Sequence, residues 1–215
     1  MLKKFLTVLL VLYSCSSVFA ETLKIGLITP LSGTGASIGT YVKKGVELAV
    51  NQAEKNGSEI ELFVEDDGWD IAKSVSTAQR LIALNKVDAL LVVGSAVGNA
   101  VAPIAEREKV IMIAIGASDY KIARDKVFAF THWVTPEIEA NLLLKEAEKR
   151  KYEKIGIIAT EQEGVIAVVN AVKSEAHKLK LNNRLVFEKF FLPNQTDFKT
   201  VILKIKKQKL DSIIL

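Results

Sequence analysis

One cysteine, two histidines and four prolines are all that these 215 residues contain of those three types. Cys15 lies inside an apolar leader, so a chain cut after Ala20 carries no thiol. That excludes disulfides, thiol catalysis and cysteine metal ligands together. His132 and His177 stand without ligand spacing, which argues against a transition-metal site. Charge of one sign is also scarce. The net charge of +4 falls to +2 once residues 1–20, with two lysines and no acid, are removed. Basic residues are spread along the chain and give no footprint for a nucleic-acid partner. The densest run, Lys204, Lys206, Lys207 and Lys209, alternates with Val201, Ile202 and Ile205 and reads as the solvated face of a helix. With 49% hydrophobic residues and no low-complexity tract, the chain is globular.

The first twenty residues have the layout of an export signal. Lys3 and Lys4 precede an apolar run from Phe5 to Tyr13, and small residues lead to Val18-Phe19-Ala20 before Glu21. The run is shorter than the roughly 20 residues a membrane-spanning helix needs. Cleavage after Ala20 yields a soluble extracytoplasmic chain. The alternative is lipid anchoring through Cys15, which Tyr13 fits poorly.

Beyond the leader, apolar β-rich runs alternate with segments of helical period. Strands are predicted at Leu23–Ile28, Ile60–Val64, Ala89–Val93, Val110–Ile115, Val127–Thr131, Ile155–Ala159, Leu185–Phe191 and Asp211–Leu215. Ala89–Val93 and Val110–Ile115 are nearly unbroken apolar runs, which predicts strands buried on both faces. Helices are predicted at Tyr41–Ala53, from an Asp70 cap through Ile82, and at Asn99–Glu106 with Pro103 near its first turn. Others run from Thr135-Pro136-Glu137 onward, over Val165–Lys178, and after a Thr196 cap. The alternation predicts an α/β fold of two parallel-sheet units, 21–126 and 127–215. The second unit, with three strands and no closing helix, is expected to be incomplete.

No motif carries chemistry on its own. Gly33-Thr34-Gly35-Ala36-Ser37-Ile38-Gly39 departs from the dinucleotide fingerprint, because Ile38 stands where the third glycine belongs. Gly94-Ser95-Ala96-Val97-Gly98 is not a nucleophile elbow, so a secreted serine hydrolase using Ser95 is a minor reading. Glu65-Asp66-Asp67 with Asp70 is the densest acidic cluster, better explained as a strand end and helix cap than as a metal site. What remains is position: ligands bind open parallel sheets at the C-terminal ends of the strands. Those loops are Pro30–Gly39, Asp67–Asp70, Gly94–Asn99 and Gly116–Asp119, with Trp69 as an aromatic wall and the helix start beside Asn99 suited to a carboxylate.

The ordered set ETLKIGLITPLSG, LAVNQAE, ELFVEDDGWDIAKSVSTAQRLI, LLVVGSAVGNAVAPIAEREKVIMIAIGAS, KIGIIATEQEGVIAVVNAVK and TDFKTVILKIKKQKLDSIIL resembles the type I periplasmic solute-binding proteins. The nearest branch is the branched-chain amino acid (Leu/Ile/Val) binding proteins of ABC transporters. The resemblance implies two Rossmann-like lobes with parallel sheets, closing on ligand about a hinge, with no enzymatic activity and no cofactor. It implies that Gly98 and Asn99 occupy the loop that holds a ligand carboxylate. Gly116, Ala117 and Ser118 would meet its ammonium and carboxylate. Ile38 and Glu163 stand where the family has pocket tyrosines, and Gly98 where it has a serine. The implied ligand is an amino acid or similar small polar solute, and the implied partner is a membrane permease. A ligand-sensing module for a signalling partner is the alternative on the same fold.

Overall fold

The computed structural model describes residues 22–215, so the export signal and Cys15 lie outside the described residues. The strands are β1 (Leu23–Thr29), β2 (Ile60–Asp66), β3 (Ala89–Val93), β4 (Ile111–Ile115), β5 (Ala129–His132), β6 (Ile155–Thr160), β7 (Leu185–Phe191) and β8 (Ser212–Ile214). The helices are α1 (Ala36–Lys55), α2 (Ile71–Arg80), α3 (Ser95–Glu108), α4 (Pro136–Lys149), α5 (Glu163–Lys178) and α6 (Lys199–Gln208). A single π turn, Leu81–Asn85, extends α2. The first sheet has the order β2-β1-β3-β4-β5 and the second β7-β6-β8, with every pair parallel. Each parallel step needs a crossover, which the intervening helices supply.

β5 corrects one expected boundary. Ala129–His132 was assigned to the second unit, but Met112–Ile115 pair with these four residues in the first sheet. The chain therefore passes between units at residues 133–135, just ahead of Pro136 at the first position of α4. Glu137 and Glu139 complement the dipole of that helix start.

Each sheet has its own core. Ile28, Leu81, Leu90, Val92, Val101, Met112 and Ile122 are packed under α2 and α3. Leu144, Ile157, Val169, Val172 and Ala176 join α4 and α5 to the second sheet. Burial on both faces does not hold for β4. Met112 and Ala114 are sealed by α3, whereas Ile111 keeps 47% of its surface exposed and Phe130 on β5 keeps 48%. The reason is coverage: on that face α1 lies against β1 and β2.

Two helices start earlier than their periodicity indicates. α1 begins at Ala36, five residues before Tyr41, because Gly39 lets the helix press directly on the Pro30 carbonyl. α3 begins at Ser95 and carries Pro103 in its interior. The missing Pro103 N–H leaves the Asn99 carbonyl without its helical partner. Packing of Val97, Val101, Ile104 and Ala105 into the core offsets that loss. At α6 the N-cap position is Phe198, which makes no side-chain cap bond, and not Thr196; one residue ahead of it Asp197 Oδ1 accepts the Lys199 N–H at 2.9 Å.

The two glycines of α1 should respond oppositely to alanine. A Cβ at Gly39 meets the Pro30 carbonyl, so Gly39→Ala should destabilise by about 1–3 kcal/mol. At Gly45 nothing lies within 4 Å, so Gly45→Ala should stabilise by about 0.5–1 kcal/mol. Urea denaturation midpoints of the two variants check the sign of each.

Candidate functional site

The C-terminal ends of the first sheet deliver four loops to one side of the molecule. Gly94 (φ +86°) and Gly116 (φ +61°) make the sharp exits from β3 and β4 in a region that L side chains disfavour. Gly94 N–H bonds the Ile115 carbonyl at 2.9 Å, tying the two exits together. From the first, α3 begins immediately. Its first intrahelical bond runs from Gly98 N–H to the Gly94 carbonyl at 3.0 Å, so the amides of Ser95, Ala96 and Val97 precede it.

The N-terminus of α5 comes to the same place from the second unit. Ser118 Oγ donates to the Gly164 carbonyl at 3.1 Å. A Cβ on Gly164 would stand 2.7 Å from Ser95 Oγ and 2.9 Å from Ser118 Oγ, so only glycine permits this approach. Asn99 Nδ2 donates to Asp119 Oδ2 at 2.9 Å and to Glu163 Oε2 at 2.5 Å. One amide thus spans the two units. Alongside lies a cleft of about 610 Å³, bounded by Asn99, Asp119 and Lys121 of the first unit and by Glu137 on α4 and Glu163, Ile166 and Asn170 on α5 of the second. A second groove of about 580 Å³, between Pro103, Glu106, Arg124 and Lys126, is lined by the first unit alone.

The residues expected at the site divide into three groups. Asn99, Ser118 and Glu163 meet across the two units as described. Gly116 shapes the exit of β4, and Trp69, which does not line the cleft, packs partly buried against the first core. Its ring lies against Gly35, where a Cβ would come within 2.8 Å of Cε3, and its indole nitrogen faces Gly94. Trp69 has φ +63°, a costly conformation for an aromatic residue. Asp67 Oδ1 holds it by accepting the Trp69 N–H at 3.0 Å.

Gly98, Ala117 and Ile38 form the third group, which does not take part in these contacts. Gly98 faces Ile122 and Ala114 in the core, and its N–H is committed to Gly94. Ala117 is 1% exposed within the same core. Ile38 is 49% exposed on the first turn of α1. The helix start beside Asn99 is also displaced, because Asn99 stands one turn inside α3.

Asp119 was missed as a site residue. It is 3% exposed, and its carboxylate accepts from Asn99 and from the Lys121 N–H. Its place immediately after Ser118 in a strand-exit loop was the available signal. The Ser95 hydroxyl accepts the Asp119 N–H at 3.3 Å. The acidic cluster is occupied by structural partners. Glu65 pairs with Arg80 at 2.9 Å, Asp67 accepts from Ser74 Oγ at 2.8 Å, and Asp70 caps α2 through Lys73 N–H. Asp66 holds the first loop by accepting N–H bonds from Leu31 at 2.7 Å, Ser32 at 3.2 Å and Gly68 at 2.9 Å.

Two parallel-sheet α/β units, joined by a short link and meeting across a ligand-sized cleft, define a type I binding-protein fold. Residues 22–215 match the family model described as periplasmic binding protein, and the chain belongs to that family. Solved structures of this fold include a leucine binding protein from Thermotoga maritima, with 24% identity and a TM-score of 0.77, the match covering 89% of this chain and 55% of the other. A solute binding protein of an ABC transporter from Rhodopseudomonas palustris, in complex with 3,4-dihydroxybenzoic acid, has 22% identity and a TM-score of 0.79, covering 89% and 53%. A fatty acid ABC transporter substrate-binding protein from Thermomonospora curvata has 25% identity and a TM-score of 0.77, covering 91% and 51%. The chain spans about half the length of these structures. No curated protein sequence matches it significantly. The family and these neighbours are solute-binding proteins, not enzymes, and membership implies an extracytoplasmic location. No helix among the described residues is long and apolar enough to cross a membrane.

Asp66 gives this region a pH dependence. The Ser32 hydroxyl, then the Leu31, Gly68 and Ser32 amides, hold its carboxyl at about 2, below 3.8, against the opposing effect of burial. A depressed native pKa stabilises the fold above the unfolded value, and that stability is lost as pH falls through the native value. Asp66→Asn should therefore cost about 1 kcal/mol at pH 7, at the low end for bonds to a charged acceptor because the side chain is 32% exposed. The difference from the parent chain should shrink between about pH 4 and pH 2, read as urea midpoints across that range.

Proposed function

We propose that this chain is the solute receptor of an ABC importer and captures an amino acid or similar small polar solute between its two lobes, 21–132 and 133–215. The observation that carries the reading is the convergence of two helix N-termini, those of α3 and α5, with the Ser95 and Ser118 hydroxyls in one crevice between the units. Unpaired N-terminal amides and the positive ends of two helix dipoles suit a carboxylate. The Gly116–Ser118 segment supplies carbonyl and hydroxyl groups for an ammonium. The leucine binding protein among the structural neighbours supports an amino acid, while the dihydroxybenzoate complex and the fatty acid transporter protein share with it only a carboxylic acid.

In this mechanism the lobes part to admit the solute. The contacts from Asn99 to Glu163 and from Ser118 to Gly164 re-form around it as they close. The permease recognises the closed form, whose population the ligand raises by binding it more tightly than the open one. Cleavage after Ala20 releases the receptor as a soluble protein outside the cytoplasm.

Calorimetric titration of the full chain with a panel of amino acids tests the reading. At least one should bind with a compact form favoured in small-angle scattering. Asn99→Ala and Ser118→Ala should each weaken that binding by about tenfold or more, as expected for a lost bond to a charged group. Heats absent across the panel, or affinity untouched by both substitutions, would remove the assignment.

A further inference from the structure

We propose that Gly164 is a positioning residue for lobe closure: its missing side chain sets how near the two lobes can come, and any side chain there holds them apart. The inference rests on the solute-receptor reading and adds the residue that controls closing of the same site.

Nothing local calls for glycine at this position. Gly164 is the second residue of α5, after the Gln162 cap and Glu163, and its φ is negative like that of its helical neighbours. Glycine is the poorest helix former short of proline, so α5 by itself would gain from almost any other residue. Gly94 and Gly116, by contrast, are needed for their positive φ. Where other glycines are tightly packed, as at Gly35, Gly39, Gly98 and Gly156, the neighbours come from their own unit. Among the twelve glycines, all of them within the described residues, Gly164 alone would have its Cβ blocked by the other unit.

Turning the obstruction aside is costly. A Cβ would stand 2.7 Å from Ser95 Oγ, 2.9 Å from Ser118 Oγ and 3.4 Å from Ser95 Cβ. Both hydroxyls are committed. Ser118 Oγ donates to the Gly164 carbonyl at 3.1 Å, and Ser95 Oγ accepts the Asp119 N–H at 3.3 Å. Rotating Ser118 gives up the tie between the units, and rotating Ser95 strands the amide of a buried residue. The other way out is for the lobes to part. Bringing 2.7 Å back to the 3.4 Å of ordinary contact needs 0.7 Å at this point. Glu163 is the preceding residue, so its bond to Asn99 stretches in the same motion. An added side chain therefore works against both inter-unit bonds together.

A substitution thus has two effects of opposite sign, which separates positioning from folding. In Gly164→Ala and Gly164→Leu, α5 gains helix propensity, so the chain should melt at or above the parent temperature. The closed form loses population, and the apparent affinity falls with the competent fraction.

Pulsed electron resonance decides the matter, with spin labels at Lys44→Cys on α1 and Lys204→Cys on α6, both exposed, in the full chain carrying Cys15→Ser. Leucine calorimetry and thermal melting accompany it on the unlabelled chains. The label distance should lengthen in Gly164→Leu, and leucine binding should weaken severalfold in Gly164→Ala and at least tenfold in Gly164→Leu. Identical distance distributions in the parent and Gly164→Leu would overturn the proposal. A longer distance accompanied by melting several degrees lower would mark a folding defect and overturn it as well. A distance that lengthens at unchanged melting, in a parent that fails to bind leucine, would keep Gly164 in this role while counting against the amino acid reading.

Discussion

The juncture between the two units centres on one side-chain amide. Asn99 has two Nδ2 hydrogens and gives one to Asp119 in its own unit and one to Glu163 in the other. It can do so because α3 begins at Ser95, four residues upstream, and turns Asn99 outward while Val97, Gly98 and Val101 face the core. The Ser118–Gly164 bond adds a second tie, and the absence of a side chain at Gly164 lets the helix end approach. A neutral amide between two carboxylates holds less firmly than a cation would, since bonds to neutral groups are the weaker kind.

The walls around the juncture are stiffer than its centre. Asp66 ends β2 and Asp67 follows it, and between them they bond the backbone of the Pro30–Ser32 loop, the Trp69 amide and the Ser74 hydroxyl. Trp69 is thereby kept in a left-handed backbone conformation, with its ring on Gly35. Such local strain persists only where surrounding bonds over-determine it. The acidic cluster is thus a device for shaping loops, fixing the exits of β1 and β2.

Much of the architecture was legible in advance. The alternation of apolar runs and helical periods located the eight strands and six helices among the described residues, and the Asp70 cap on α2 is the one observed, with Lys73 N–H as its donor. Helix starts were less legible. Gly39 and Pro103 read as interruptions, yet Gly39 is what allows α1 to rest on Pro30, and Pro103 is absorbed by a well-buried helix. Local rules assign such residues to helix ends, and tertiary packing overrode them. Gly98 was misplaced for the same reason. Its position in the motif pointed to the site, but a helix beginning at Ser95 rotates it onto Ile122.

Periodicity by itself determined the α/β class of the fold. Parallel strands need crossovers, crossovers of this length are helical, and the alternating pattern records both. The same pattern predicts that ligands meet the strand exits, because that is where loops and helix N-termini gather. Which loop residues meet is a matter of three dimensions. Asp119 and Glu163 lie 20 and 64 residues from Asn99 along the chain, and no local pattern joins the three. Only the packing of α3 against α5 sets two carboxylates on one amide, since side-chain direction on a helix depends on where the helix starts and what it leans on.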